Sequence, residues 1–131
     1  MAVEFEPMIG RYFMLEVGGK SYRIYMEEAG RGIPLLCLHT AGSDARQFRH
    51  ILADEDITNR FRVMAFDLPW HGKSNPPKDF RNEDYKLTVH GYKAIINAVC
   101  SALELESPVV MGCSMGGRIV CHLALENPAY F

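Results

Sequence analysis

No C-x-x-C pair occurs among the four cysteines Cys37, Cys100, Cys113 and Cys121. That argues against a disulfide framework or a thiolate metal site. Each lies in an apolar run, so free buried thiols in a reducing compartment are expected. No apolar run approaches the ~18–20 residues that a membrane span needs. Met1–Glu6 carries two acids where a signal peptide wants Lys/Arg followed by an apolar stretch. The expectation is a cytoplasmic protein with no membrane partner. Excess positive charge is also missing, with 14 basic against 16 acidic side chains and a net charge of -2. Without a Lys/Arg stripe to track phosphates, no nucleic-acid partner is expected. No H-E-x-x-H or comparable cluster is present, so neither metal nor cofactor is expected. Repeats, low-complexity tracts and linkers are absent too. The remainder is ordinary globular composition, 48% apolar and 23% charged over 131 residues. That length suffices for one domain and not for two.

Turn signals divide the chain into short units. Arg11–Val17 alternates in polarity and ends at Gly18-Gly19, and Ser21–Glu27 alternates again. Together they predict an antiparallel hairpin. Pro34–Leu38, Arg62–Phe66 and Pro108–Met111 are continuous apolar runs, the pattern of parallel strands covered on both faces. Helix patterns lie between and after them. Asp44–Leu52 follows a candidate cap at Ser43, and Val89–Leu105 follows one at Thr88. In the latter, Val89, Tyr92, Ile96, Val99 and Leu103 form one stripe. Met115–Glu126 is apolar nearly all round, which predicts a buried helix stopping before Asn127-Pro128. The order β-β-β-α-β-α-β-α predicts an α/β fold with parallel strands and right-handed crossovers. Its ligand site should lie at the carboxyl ends of the strands, at His39–Asp44, Asp67–Ser74 and Gly112–Met115.

Gly112-Cys113-Ser114-Met115-Gly116 matches G-x-S-x-G between a predicted strand and a predicted helix. On so sharp a turn a serine projects its hydroxyl into the open, and small neighbours remove Cβ clashes. The following helix offers unpaired N–H groups to a developing oxyanion. His39-Thr40-Ala41-Gly42 could turn further amides toward that serine, with Ala41 and Met115 as the candidate oxyanion pair. The alternative is a plain loop leading into a capped helix. Gly72-Lys73-Ser74 is not a phosphate loop, because position 67 is Asp rather than Gly and Asn75-Pro76-Pro77 follows instead of a helix. Asp67 and Ser74 are expected to fix their turn through side-chain to backbone bonds. Trp70, with His39 and Thr40, could line a substrate cavity, although a lone aromatic more often packs.

With these three motifs in this order, the chain resembles the α/β-hydrolase superfamily across nearly all its length. The resemblance implies Ser114 as nucleophile and the Ala41 and Met115 amides as oxyanion hole. It is similar to the cofactor-free esterases, lactonases, thioesterases and carbon–carbon hydrolases, acting on a small acyl substrate. Two departures stand out. Thr40 follows His39 where Gly is frequent, and Trp70 stands where Gly is common. The resemblance also implies an Asp/Glu and then a His downstream of the serine. Only 17 residues follow Ser114, and no acid precedes a histidine among them. His122 would lie roughly 12 Å along its helix, out of reach.

Residues 1–131 are therefore expected to be the N-terminal portion of a single hydrolase domain: a truncated sheet with a leading antiparallel hairpin and three parallel strands. The chain alone would be inactive, and its exposed sheet edge would invite self-association. A catalytically inert binding or assembly half, and one half of a split enzyme, are the competing readings.

Overall fold

A computed structural model describes all 131 residues. Five strands form one sheet in the order β1-β2-β4-β3-β5. β1 (Ile9–Val17) and β2 (Lys20–Gly30) are the expected hairpin, closing with Val17 opposite Lys20. Its two central residues, Gly18 and Gly19, both adopt positive φ, as a two-residue hairpin turn requires. β3 (Ile33–Leu38), β4 (Phe61–Phe66) and β5 (Val109–Gly112) run parallel, with β3 in the middle. β2 joins them antiparallel to β4.

The continuous apolar runs have a direct cause. Leu36, Leu38, Met64 and Phe66 face one side, where α3 (Val89–Ala102) and α4 (Met115–Glu126) supply Ile96, Val99, Ile119 and Leu123. Leu35, Cys37, Val63 and Ala65 face the other side, against Phe48 and Leu52. Both faces of β3 and β4 are thus dry, so alternation disappears from their sequences.

The first helix departs from expectation. Asp44 rather than Ser43 is its cap, accepting a hydrogen bond from Arg46 N at 3.0 Å. A 3-10 turn, Ala45–Phe48, leads into α1 (Arg49–Ala53). Asp54 then breaks the helix by accepting from Asp56 N and Ile57 N, and it starts α2 (Glu55–Thr58). Asp side chains compete for nearby amides, so Asp44 and Asp54 divide what looked like one helix. α3 keeps its Thr88 cap, accepting from Gly91 N at 3.0 Å, but ends three residues early at Ala102.

The thiols also divide. Cys37 and Cys100 are buried, whereas Cys113 and Cys121 are exposed, against the expectation of four buried ones. The reason is position. Cys113 follows the outermost strand, and Cys121 sits on the bare side of α4. That helix buries only Gly116, Ile119 and Leu123, leaving Leu125 82% exposed. An apolar helix covered on one side is the price of an open sheet edge. No helix is long and apolar enough to cross a membrane.

Candidate active site

The register places the three motif loops together. Leu38 pairs with Gly112 across the parallel β3–β5 ladder, so the chain leaves both strands side by side. His39 follows one and Cys113-Ser114 the other. Cys37 pairs with Ala65 on the other flank, which brings Asp67–Ser74 alongside as well.

Ser114 has φ 52° and ψ -112°. Gly116 N donates to Cys113 O at 2.9 Å. These are the features of a type II′ turn with Ser114 at its first central position, one that favours glycine. A serine held there stores backbone strain of about 1–3 kcal/mol. The side chain is exposed, at the start of α4. The Met115 N–H takes the second central position, which the turn's own hydrogen bond does not use.

The flanking glycines are required by contact. A Cβ on Gly116 would lie 2.2 Å from Leu38 O, and one on Gly112 would lie 2.4 Å from Gly116 C. The helix therefore crosses against the ends of β3 and β5 with no room for a methyl group. Gly117 is less critical, with its nearest contact at 3.2 Å.

His39 is 1% exposed and both its ring nitrogens are engaged. Nδ1 lies 2.8 Å from Thr40 O, and Leu68 N donates to Nε2 at 3.1 Å. Nε2 must accept, so the proton sits on Nδ1 and the ring is neutral. Burial pushes its pKa below the ordinary imidazole range, against the pull of the Thr40 carbonyl. With no free nitrogen, His39 braces the Thr40 loop against the Leu68 loop. It has no lone pair to offer Ser114. The loop is held again by Gln47, whose Oε1 accepts from Thr40 N at 2.9 Å. Sequence reasoning passed over Gln47, because a side chain returning to a loop seven residues upstream leaves no local pattern. Thr40 is half-buried, and Ala41 is exposed with its N–H free of any partner in the chain.

Asp67 ties the other two loops together. Its carboxylate, 2% exposed, accepts from Ala45 N at 2.7 Å and Lys73 N at 2.8 Å. Ser74 Oγ donates to Asp67 O at 2.6 Å and accepts from Tyr25 N at 2.9 Å. Both residues thus do what their turn positions suggested. Asp44 lies beside this junction, and its side chain binds Arg46 through Nε at 2.9 Å and Nη2 at 2.8 Å. That guanidinium holds the Asp44 carboxyl below its usual range.

Trp70 adopts φ 70°. His71 N donates to Leu68 O at 3.0 Å, so Pro69-Trp70 occupy the centre of a type II turn. That turn wants glycine where Trp70 stands. The indole packs edge-on to Phe80 at 5.6 Å and tilted against Tyr85 at 5.4 Å. The His71 ring lies 6.0 Å from Tyr85 and 5.0 Å from His39. Sequence reasoning singled out Trp70 but not Phe80 or Tyr85, which reach it from the following loop. His50 and His90 are exposed on helix surfaces, and His122 is half-buried in the third turn of α4. No three His, Cys, Asp or Glu side chains gather closely enough to hold a metal ion.

An exposed strained serine at a helix N-terminus, after the strand next to the one whose loop carries a free amide, is a constellation suited to acyl transfer. Known proteins share this frame. The profile of a family described as alpha/beta hydrolase fold matches residues 33–131. The 2-hydroxymuconate semialdehyde hydrolase of Pseudomonas sp. (strain CF600) is 30% identical over 128 residues, covering 97% of this chain and 42% of that protein. Crystal structures of the N-acyl homoserine lactonase AidH complexed with N-butanoyl homoserine are 33% identical, with a TM-score of 0.74 over 92% of this chain and 42% of theirs. Epoxide hydrolase VrEH1 from Vigna radiata, 20% identical with a TM-score of 0.74 over 93% of this chain and 38% of its own, shares the fold. This chain thus spans 29–42% of the length of the curated relatives and solved structures it matches. With the sheet order, the serine turn and a profile match over three-quarters of its residues in agreement, the chain belongs to the α/β-hydrolase fold family.

Proposed function

We propose that Ser114 is the nucleophile of a hydrolase acting on an ester, thioester, lactone or activated carbon–carbon bond of a small acyl substrate. Attack by Oγ on the substrate carbonyl gives a tetrahedral oxyanion, which the Ala41 and Met115 amides stabilise. The observation that carries this reading is the left-handed conformation of Ser114, a strain that an idle serine has no reason to bear. The semialdehyde hydrolase and the lactonase, both similar to this chain, act on carbonyl compounds by their names, which supports the substrate range.

A serine nucleophile needs a base held by an acid. His39 has both nitrogens committed, and His71 is held at Nδ1 by the Pro69 carbonyl at 3.0 Å rather than by an acid, on a loop two strand positions from the serine. We infer that residues 1–131 are the N-terminal portion of one hydrolase domain, with the base and its acid supplied by sequence outside them. A fluorophosphonate probe tests this. The full-length gene product should be labelled at Ser114 and its S114A variant should not. The 131-residue chain alone should stay unlabelled until a complementing segment is added. A full-length product with no label at Ser114 would overturn the proposal, and rapid labelling of the isolated chain would overturn the external base.

One observation favours a second reading, an assembly half that acts without catalysis. β5 hydrogen-bonds only to β3 and ends the sheet, with its first residue, Val109, exposed. Such an edge templates pairing with another chain, here a second copy. Sedimentation and the probe together decide it: a stable monomer rejects this reading, and concentration-dependent dimers whose Ser114 stays unlabelled in the full-length product support it.

A further inference from the structure

We propose that Trp70, Tyr85 and Phe80 form an aromatic wall that selects substrates carrying a flat, π-faced group, a proposal that rests on Ser114 being the nucleophile of the same site. Trp70 is the origin of the argument. It occupies a turn position that glycine would fill without strain, and it belongs to neither packed core of the molecule. Its strain is therefore not offset by core packing. What the indole gains there is company at the surface: Tyr85 and Phe80 are 47% and 37% exposed, and both rings contact it.

Place matters as much as composition. Trp70 follows β4, Ser114 follows β5, and β3 runs between them. Two strand spacings put the wall about 10 Å from the serine across the sheet end, with the His39–Ala41 loop between. The wall thus stands within reach of a phenyl-bearing acyl or leaving group whose carbonyl is seated at Ser114. Aromatic rings prefer edge-to-face or offset contacts, which a saturated ring of the same size cannot make. The wall should therefore discriminate by flatness rather than by size.

Trp70 is the single tryptophan of the chain, so its emission reports this wall alone. Titration with methyl phenylacetate should change that emission saturably, at about fivefold lower concentration than methyl cyclohexylacetate. Y85L, which keeps the reporter, should erase most of that difference. W70G, relieved of its strained turn, should melt no lower than the parent and show no preference by ligand-observed NMR. Equal half-saturation for the two esters, or a W70G chain that melts well below the parent, overturns the proposal. A full-length product that prefers the flat ester but is never labelled at Ser114 keeps the wall and loses the nucleophile. One that is labelled without any preference does the reverse.

Discussion

Gly116 lies so close to Leu38 that a Cβ on the glycine would stand 2.2 Å from the leucine carbonyl oxygen. The same oxygen accepts the Cys113 amide at 3.3 Å. One backbone carbonyl of β3 thus positions both the entry to the serine turn and the helix that leaves it. G116A should force helix and strand apart and cost about 1–3 kcal/mol, as other overpacked contacts do. G117A, with its nearest contact at 3.2 Å, should cost far less. Urea unfolding of the two variants compares them directly.

Strain at Ser114 makes a signed prediction. Glycine adopts φ 52° without penalty, whereas alanine does not. S114G should therefore be more stable than S114A by about 1 kcal/mol, although both lose the nucleophile. Equal unfolding midpoints would show that the turn carries no strain.

Asp67 holds two loops by its two amide contacts, from Ala45 N and Lys73 N. D67A leaves the buried Ala45 amide and the part-buried Lys73 amide without their acceptor and should cost about 1–3 kcal/mol. D67N keeps an acceptor for one of them but turns an NH2 group toward the other. It should fall between the parent and D67A in chemical denaturation.

Buried neutral His39 sets a pH dependence. Its folded-state pKa lies below the unfolded value of 6.5, so the unfolded chain binds more protons between the two. Stability from this group is complete above 6.5 and is lost as pH falls through that window toward the folded pKa. Protonation would also turn Nε2 from acceptor to donor against Leu68 N–H. Unfolding midpoints should fall between pH 7.5 and 5, and the fall should be shallower in H39Q. A parent and variant with parallel profiles would rule out this origin.

Thiol chemistry checks the packing. Burial pushes Cys37 up to about 12 and Cys100 up to about 11. Both should resist alkylation in the folded chain, since the thiolate is the reactive form. Cys113 and Cys121, exposed, should react at once. Peptide mapping after a short iodoacetamide pulse should find two modified cysteines, and four only after unfolding.

Much of this molecule is written locally. The hairpin is legible because Gly18-Gly19 supplies the two positive φ angles its turn needs. The central strands are legible because burial on both faces demands unbroken apolar runs, as in Leu35–Leu38 and Val63–Phe66. The serine turn is legible because close packing there admits only small residues at Gly112 and Gly116. Whatever imposes them, these constraints fall on residues close together in the chain, so they leave a pattern within a few residues.

Other features depend on which strands lie side by side, and no local pattern carries that. By its sequence His39 could line a cavity, although a histidine in such a loop more often braces it. Its second partner, Leu68 N, stands 29 residues away and meets it only because β3 and β4 are adjacent. Asp67 reaches Ala45 across the same boundary. Trp70 read as a lone aromatic until the following loop brought Phe80 and Tyr85 against it. The sequence by itself determined the elements and the chemistry available at their ends. The tertiary structure alone decided which of those ends meet, because sheet order, a balance of burial over the whole domain, sets those distances.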